Sequence, residues 1–97
     1  MSDDFFPKKG ELRNAVVEVM RTIGGVVKTA DINKEVIRLL KLPKEVVYME
    51  NPGGDGTLLD YRLRWARTEL KKEGIIINVN RGFWKIKDWQ ILIKRKN

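Results

Sequence analysis

Residues 61 to 72 read Tyr61, Arg62, Leu63, Arg64, Trp65, Ala66, Arg67, Thr68, Glu69, Leu70, Lys71, Lys72. A second basic set, Arg81, Lys85 and Lys87, follows within a β-favouring stretch. Cations gathered this closely suit the binding of a polyanion, because each Lys or Arg that meets a phosphate releases a condensed counterion. Acid–base chemistry has far less to work with. The chain contains no His and no Cys, which removes the commonest general base, imidazole and thiolate metal ligands, disulfides, and Ser-His or Cys-His catalysis. One catalytic spelling survives: Glu69-Leu70-Lys71 with Asp60 upstream, two carboxylates and a lysine of the kind that hold a divalent metal beside a phosphate. Such three-residue patterns arise often in a chain rich in Glu and Lys, and here Leu70 belongs to the apolar stripe of a helix. No catalytic residue, metal or cofactor is therefore expected.

The charge is unevenly distributed. Residues 1–56 carry nine basic and nine acidic side chains, residues 57–79 five against three, and residues 80–97 six against one, so the net +7 falls entirely in the last 41 residues. A solubilising surface would also tolerate cations, but a one-sided excess is the footprint expected of a nucleic-acid-binding face.

The elements that must position these residues can be read from periodicity. Ninety-seven residues hold one domain, since independently folding cores usually need about 50 to 200. A helix opens after Pro7 with Leu12, Val16, Val19, Met20 and Ile23 at three- and four-residue spacing, and stops at Gly24-Gly25. Val26-Val27-Lys28 is a short β-favouring run, and Thr29 is expected to cap a second helix with Ile32, Val36, Leu39 and Leu40 on one side, ending before Pro43. Residues 43–56 read as irregular: Lys44 to Met49 has the length of one helical turn, and Asn51-Pro52-Gly53-Gly54-Asp55-Gly56 reads as a mobile loop. Thr57 and Asp60 have capping-box spacing for a third helix, whose stripe is Leu59, Leu63, Ala66 and Leu70 and whose stop is Gly74. Ile75 to Val79 and Phe83 to Lys87 then form a hairpin about Asn80-Arg81-Gly82. Asp88 would cap a short last helix with Trp89, Leu92 and Ile93, before the basic tail of residues 94–97. Helix, short strand, helix, helix and hairpin is the order of a winged helix-turn-helix, an α+β fold of three main helices, a wing sheet of two or three strands and a short C-terminal helix.

In that arrangement the third helix is the recognition helix and duplex DNA the partner. Projection at 100° per residue turns Tyr61, Arg64, Trp65, Thr68, Lys71 and Lys72 outward or to the edges. Arg62 and Arg67 flank the stripe, their stems on apolar surface and their guanidinium groups reaching for phosphates. Arg64 is the candidate for guanine O6 and N7, the alternatives being an intrahelical pair with Asp60 or a phosphate contact. Thr68, Lys71 and Lys72 are expected at backbone or solvent. Trp65 is expected to pack on a neighbouring element rather than stack on a base. Arg81 would project from the turn into the minor groove or onto a phosphate. Lys85 and Lys87 are read as alternating with Phe83 and Ile86, which puts the charges opposite the buried face. There is no apolar run of 18 residues, and Asp3, Asp4 and Glu11 occupy the start. A soluble, cytoplasmic, nucleoid-associated protein without membrane contact is expected.

The segment from Asp60 to Ile76, containing Trp65-Ala-Arg-Thr-Glu-Leu-Lys-Lys-Glu-Gly74, and the following Arg81-Gly-Phe-Trp84 resemble the N-terminal domain of Mrr-type restriction proteins. In that family a Trp-Ala-Arg-Thr-x-Leu-Lys-Lys-x-Gly segment precedes an Arg-Gly-x-Trp hairpin. The resemblance is close over residues 57–87 and follows only the pattern of the first two helices. It implies a winged-helix DNA-binding module joined to a PD-(D/E)xK nuclease domain that acts on modified DNA, and it makes methylated DNA a candidate ligand. That nuclease motif lies on a strand in the family, which argues against Glu69-Leu70-Lys71 being its remnant. A chain of this length would be the binding domain of a longer enzyme or a free-standing relative. A transcriptional regulator and a protein-interaction winged helix are the alternative functions.

Overall fold

A computed structural model describes residues 6–87. The helix expected from Asp88 and the tail at 94–97 lie outside the described residues. Four helices and three strands are described: α1 Lys9–Ile23, β1 Val27–Lys28, α2 Thr29–Leu40, α3 Lys44–Val47, α4 Leu58–Lys72, β2 Ile76–Asn80 and β3 Phe83–Ile86. The strands form an antiparallel sheet in the order β1-β3-β2. This is an α+β, winged-helix-like layout.

The three long helices arise where apolar residues recur every third or fourth position and meet in one core. Leu12, Val16 and Met20 of α1, Ile32 and Val36 of α2, and Leu59, Leu63 and Leu70 of α4 are buried, and Ile76 closes the core from β2. Removing these side chains from water is the main stabilising term, at about 1.5–3 kcal/mol for each fully buried aliphatic side chain. Ile23 and Leu39 depart from the periodic reading, each remaining 47% exposed. They line an open groove at the α1–α2 edge together with Glu18 and Glu35, and no third element among the described residues lines it. Periodicity identifies a face of a helix but not how far along it the packing partner extends.

The segment before α4 is more ordered than its composition suggested. Lys44–Val47 forms one helical turn, with Val46 fully buried. The Asn51-to-Gly56 segment is closed on itself rather than left as an open loop: the Asn51 amide donates to the Gly56 carbonyl at 3.1 Å, and the Gly53 amide to Asn51 Oδ1 at 3.2 Å. A bridge between Glu50 and Thr57 seals its base. Asn and Gly supply the side-chain acceptor and the permissive backbone that let so short a loop satisfy its own polar groups. Thr57 then caps α4 as expected, its Oγ1 accepting from the Asp60 amide at 3.2 Å.

Candidate nucleic-acid interface

The core of α4 faces inward through Leu59, Leu63, Ala66 and Leu70, and its two flanks meet different neighbours. On one flank Glu69 and Glu73 turn toward α1. Lys9 Nζ lies 2.9 Å and an Arg13 guanidinium nitrogen 3.4 Å from Glu69 carboxylate oxygens, and Arg13 also pairs with Glu73. Hydrogen bonding from Lys9 is the main reason the Glu69 carboxyl ionises below its ordinary value, with the charges of Lys9 and Arg13 acting in the same direction and desolvation opposing them. The bond to Glu73 likewise raises Arg13 above the usual guanidinium value. Two acidic side chains of α4 are thus matched locally by cations of α1.

The other flank faces α2 and β3 through Arg67. This residue departs from its expected role: it is only 8% exposed, and its guanidinium points inward instead of reaching for phosphate. One terminal nitrogen donates to Asn33 Oδ1 at 3.0 Å, and the group lies over the Trp84 ring, 5.7 Å from its centroid. Arg67 Nε has no hydrogen-bond partner among the described residues. Burial, and secondarily the charge of Arg64, push Arg67 below its ordinary pKa, while Asp60 opposes them. The physical reason for the departure is angular. Residue 67 is four positions from Leu63 and only about 40° around the helix from it, at the border of the stripe, so a long side chain there is covered by β3.

Beyond Arg67 on the same flank stand the exposed Arg64 and Lys71, roughly 60° and 40° further round, and Lys72 continues outward. Among the described residues no ion pair joins Arg64 to Asp60. Thr68 is half-buried, and its hydroxyl donates to the Arg64 carbonyl at 3.0 Å. Arg62 is exposed on the α1 side, with its guanidinium 5.5 Å from the Phe6 ring centroid. Trp65 borders an open groove together with Lys9 and Leu12 of α1. It stays 49% exposed, and Tyr61, 42% exposed on the same helix, meets it edge-on with centroids 6.4 Å apart.

The hairpin carries the second set of cations. Asn78 organises an irregularity in register between Asn78 and Asn80 by donating through Nδ2 to the carbonyls of Asn80 and Phe83, at 2.7 and 2.9 Å. The turn is completed by the Arg81 amide donating to Asn80 Oδ1 at 2.9 Å and by Gly82 at φ 80°, a conformation that glycine adopts without strain. Arg81, Lys85 and Lys87 are exposed. The inner face of β3 is made by Trp84 and Ile86, which pack on the core. Phe83 therefore belongs with Lys85 on the other face, correcting the pairing of Phe83 with Ile86, because strand side chains alternate with period two.

Sequence reasoning missed the role of two residues that hold this surface together, Thr29 and Asn33, and one cation that adds to it. Thr29 does not cap α2, whose N-cap is Lys28 with no side-chain cap bond. Its hydroxyl instead accepts from Trp84 Nε1 at 2.8 Å and donates to the Gly82 carbonyl at 3.3 Å. Asn33 receives Arg67. The Trp of the Arg-Gly-x-Trp segment was the available signal for this joint. Lys28, exposed and paired in the sheet with Phe83, places another cation beside the wing. It lies in the stretch whose charges sum to zero along the sequence, so nothing singled it out.

Among the described residues no group of three or more acidic, His or Cys side chains is arranged to hold a metal ion. No helix among them is long and apolar enough to cross a membrane. No curated protein and no solved structure matches the chain. The family described as the Mrr N-terminal domain matches residues 10–89, which takes in all three long helices, the sheet and both segments quoted above. The chain belongs to the Mrr N-terminal domain family.

Proposed function

We propose that this domain binds duplex DNA through the outer face of α4 and the wing, and that it is the targeting module of an Mrr-like restriction system. The observation that carries the reading is that two of the three acidic side chains between Thr57 and Glu73 are matched by cations of α1, while the cations on the flank of α4 away from α1 stay exposed. Glu69 and Glu73 are turned to Lys9 and Arg13, while Arg64, Lys71 and Lys72 stay exposed on the remaining surface, with Arg81, Lys85 and Lys87 exposed on the hairpin. A cationic helix beside a cationic ribbon suits a duplex, the helix entering the major groove and the ribbon tip meeting the minor groove or backbone. Membership of the family supports the restriction-system role. In this reading the cutting chemistry belongs to a nuclease domain elsewhere in the system, and methylated DNA is the candidate ligand class.

Arg64 is assigned to a base edge and Arg81 to the wing contact. Arg64→Ala and Arg81→Ala are each expected to weaken duplex binding by about 1–3 kcal/mol, Arg64→Ala also relaxing discrimination at one base position and Arg81→Ala acting on all sequences alike. Fluorescence anisotropy on matched plain and methylated duplexes measures both effects. Unchanged affinity in both variants would remove the assignment. Tighter binding of the methylated duplex is the outcome expected for modification sensing, and equal binding of the two contradicts it.

A further inference from the structure

The turn of the hairpin is bonded to α2 through a single residue, Thr29. The backbone N–H and the hydroxyl of Thr29, the first residue of α2, both donate to the Gly82 carbonyl, at 2.9 and 3.3 Å. The same hydroxyl accepts from the Trp84 indole at 2.8 Å, and the Trp84 ring carries the Arg67 guanidinium of α4. A hydroxyl has one proton to give, so donation to Gly82 and acceptance from Trp84 together fix its orientation. Other tethers at the turn are few. β1 has only two residues, pairing Val27 with Trp84 and Lys28 with Phe83, and Asn78, Val79 and Asn80 at the far end of β2 are exposed. A threonine at a helix start ordinarily turns its hydroxyl to that helix's own amides. Here the hydroxyl is committed to the residue next to Arg81.

We propose that Thr29 is a positioning residue: its hydroxyl holds the hairpin turn against α2 and, through Trp84 and Arg67, against α4, so that Arg81 engages DNA in register with α4 only while this joint is intact. The proposal rests on the DNA-binding reading above. Arg81 then acts as part of a two-point contact whose effective concentration is set by the rigidity of the joint, and a loose tip would pay the ordering entropy on binding.

Thr29→Val keeps the side-chain shape and removes both hydroxyl bonds, whereas Thr29→Ser retains the hydroxyl. Without DNA, nitrogen-15 relaxation of the Arg81 and Gly82 amides should show increased fast mobility in Thr29→Val and wild-type rigidity in Thr29→Ser. With DNA, Arg81→Ala should weaken binding about tenfold in the wild-type and Thr29→Ser backgrounds but less than about twofold in Thr29→Val, while the Arg64→Ala penalty stays the same in all three. A general loss of folding would shrink the Arg64 penalty as well, and that result overturns the proposal. So do equal Arg81 penalties in the wild-type and Thr29→Val backgrounds, or an unchanged tip mobility, even where duplex binding itself is intact. Failure of the wild-type domain to bind duplex at low salt instead overturns the DNA-binding reading, and with it the use of the joint.

Discussion

Two arginines three positions apart on α4 have opposite roles. Arg64 is exposed, whereas Arg67 is enclosed between Asn33 and Trp84. Arg67→Ala is therefore expected to lower stability by about 2 kcal/mol through lost packing, one hydrogen bond and the cation–aromatic contact, while leaving the salt dependence of DNA binding unchanged. Thermal denaturation together with a salt titration tests this, and a shallower salt slope in the variant would mean that Arg67 reaches phosphate after all. Glu69 yields a pH prediction. Its folded-state pKa is depressed, chiefly by the hydrogen bond from Lys9, so its contribution is fully present above the unfolded-state value and is lost as pH falls through the folded one. Glu69→Gln should therefore flatten the acid side of the stability profile below the ordinary carboxylate range and leave neutral-pH binding intact. Unfolding curves at a series of acidic pH values measure it, and a profile parallel to wild type contradicts it. At this scale the sequence marked which side chains are charged but not which way the long ones point. Arg67 shows why: it lies at the border of the stripe, where the outcome depends on whether β3 covers that edge.

The α4 helix was the most legible element, because its cap, stripe and stop agree with one another. Thr57 Oγ1 accepts from the Asp60 amide, so Thr57→Ala should cost about 1 kcal/mol of stability. Chemical denaturation of the two proteins checks this, and equal midpoints would show that the cap contributes nothing. The hairpin was legible for a similar reason, since its apolar runs and the glycine in its turn both indicated strand–turn–strand. β1 was recognisable as a short β-favouring run, but its place beside β3 was not, because two residues specify no register by their own pattern. The α3 turn was legible only as one turn's length within Lys44 to Met49, and the closed Asn51-to-Gly56 loop was illegible as structure: its hydrogen bonds run to neighbours a few residues away and carry no periodic signal. Thr29 was legible only as a cap, because the Gly82 carbonyl that claims its hydroxyl lies 53 positions further along the chain.

At the scale of the molecule, the α1–α2–α4 core supports a surface on which charge is sorted. Glu69 and Glu73 are matched at the junction with α1, Asp60 stays exposed in the first turn of α4, and exposed cations occupy the flank away from α1 and the hairpin. The linear charge profile anticipated the excess but not the sorting, which depends on Lys9 and Arg13 returning to Glu69 from the other end of the chain. The central claim is that this surface meets DNA phosphates. Its most direct test is the affinity of the domain for a plain duplex measured across roughly 50 to 200 mM monovalent salt. Seven exposed cations are available on α4 and the hairpin, Arg62, Arg64, Lys71, Lys72, Arg81, Lys85 and Lys87. Engagement of about four or more phosphates should give a log–log slope near −4 or steeper, at about −0.9 per contact. A slope close to zero over that range, or no measurable binding at its lower end, would contradict the account.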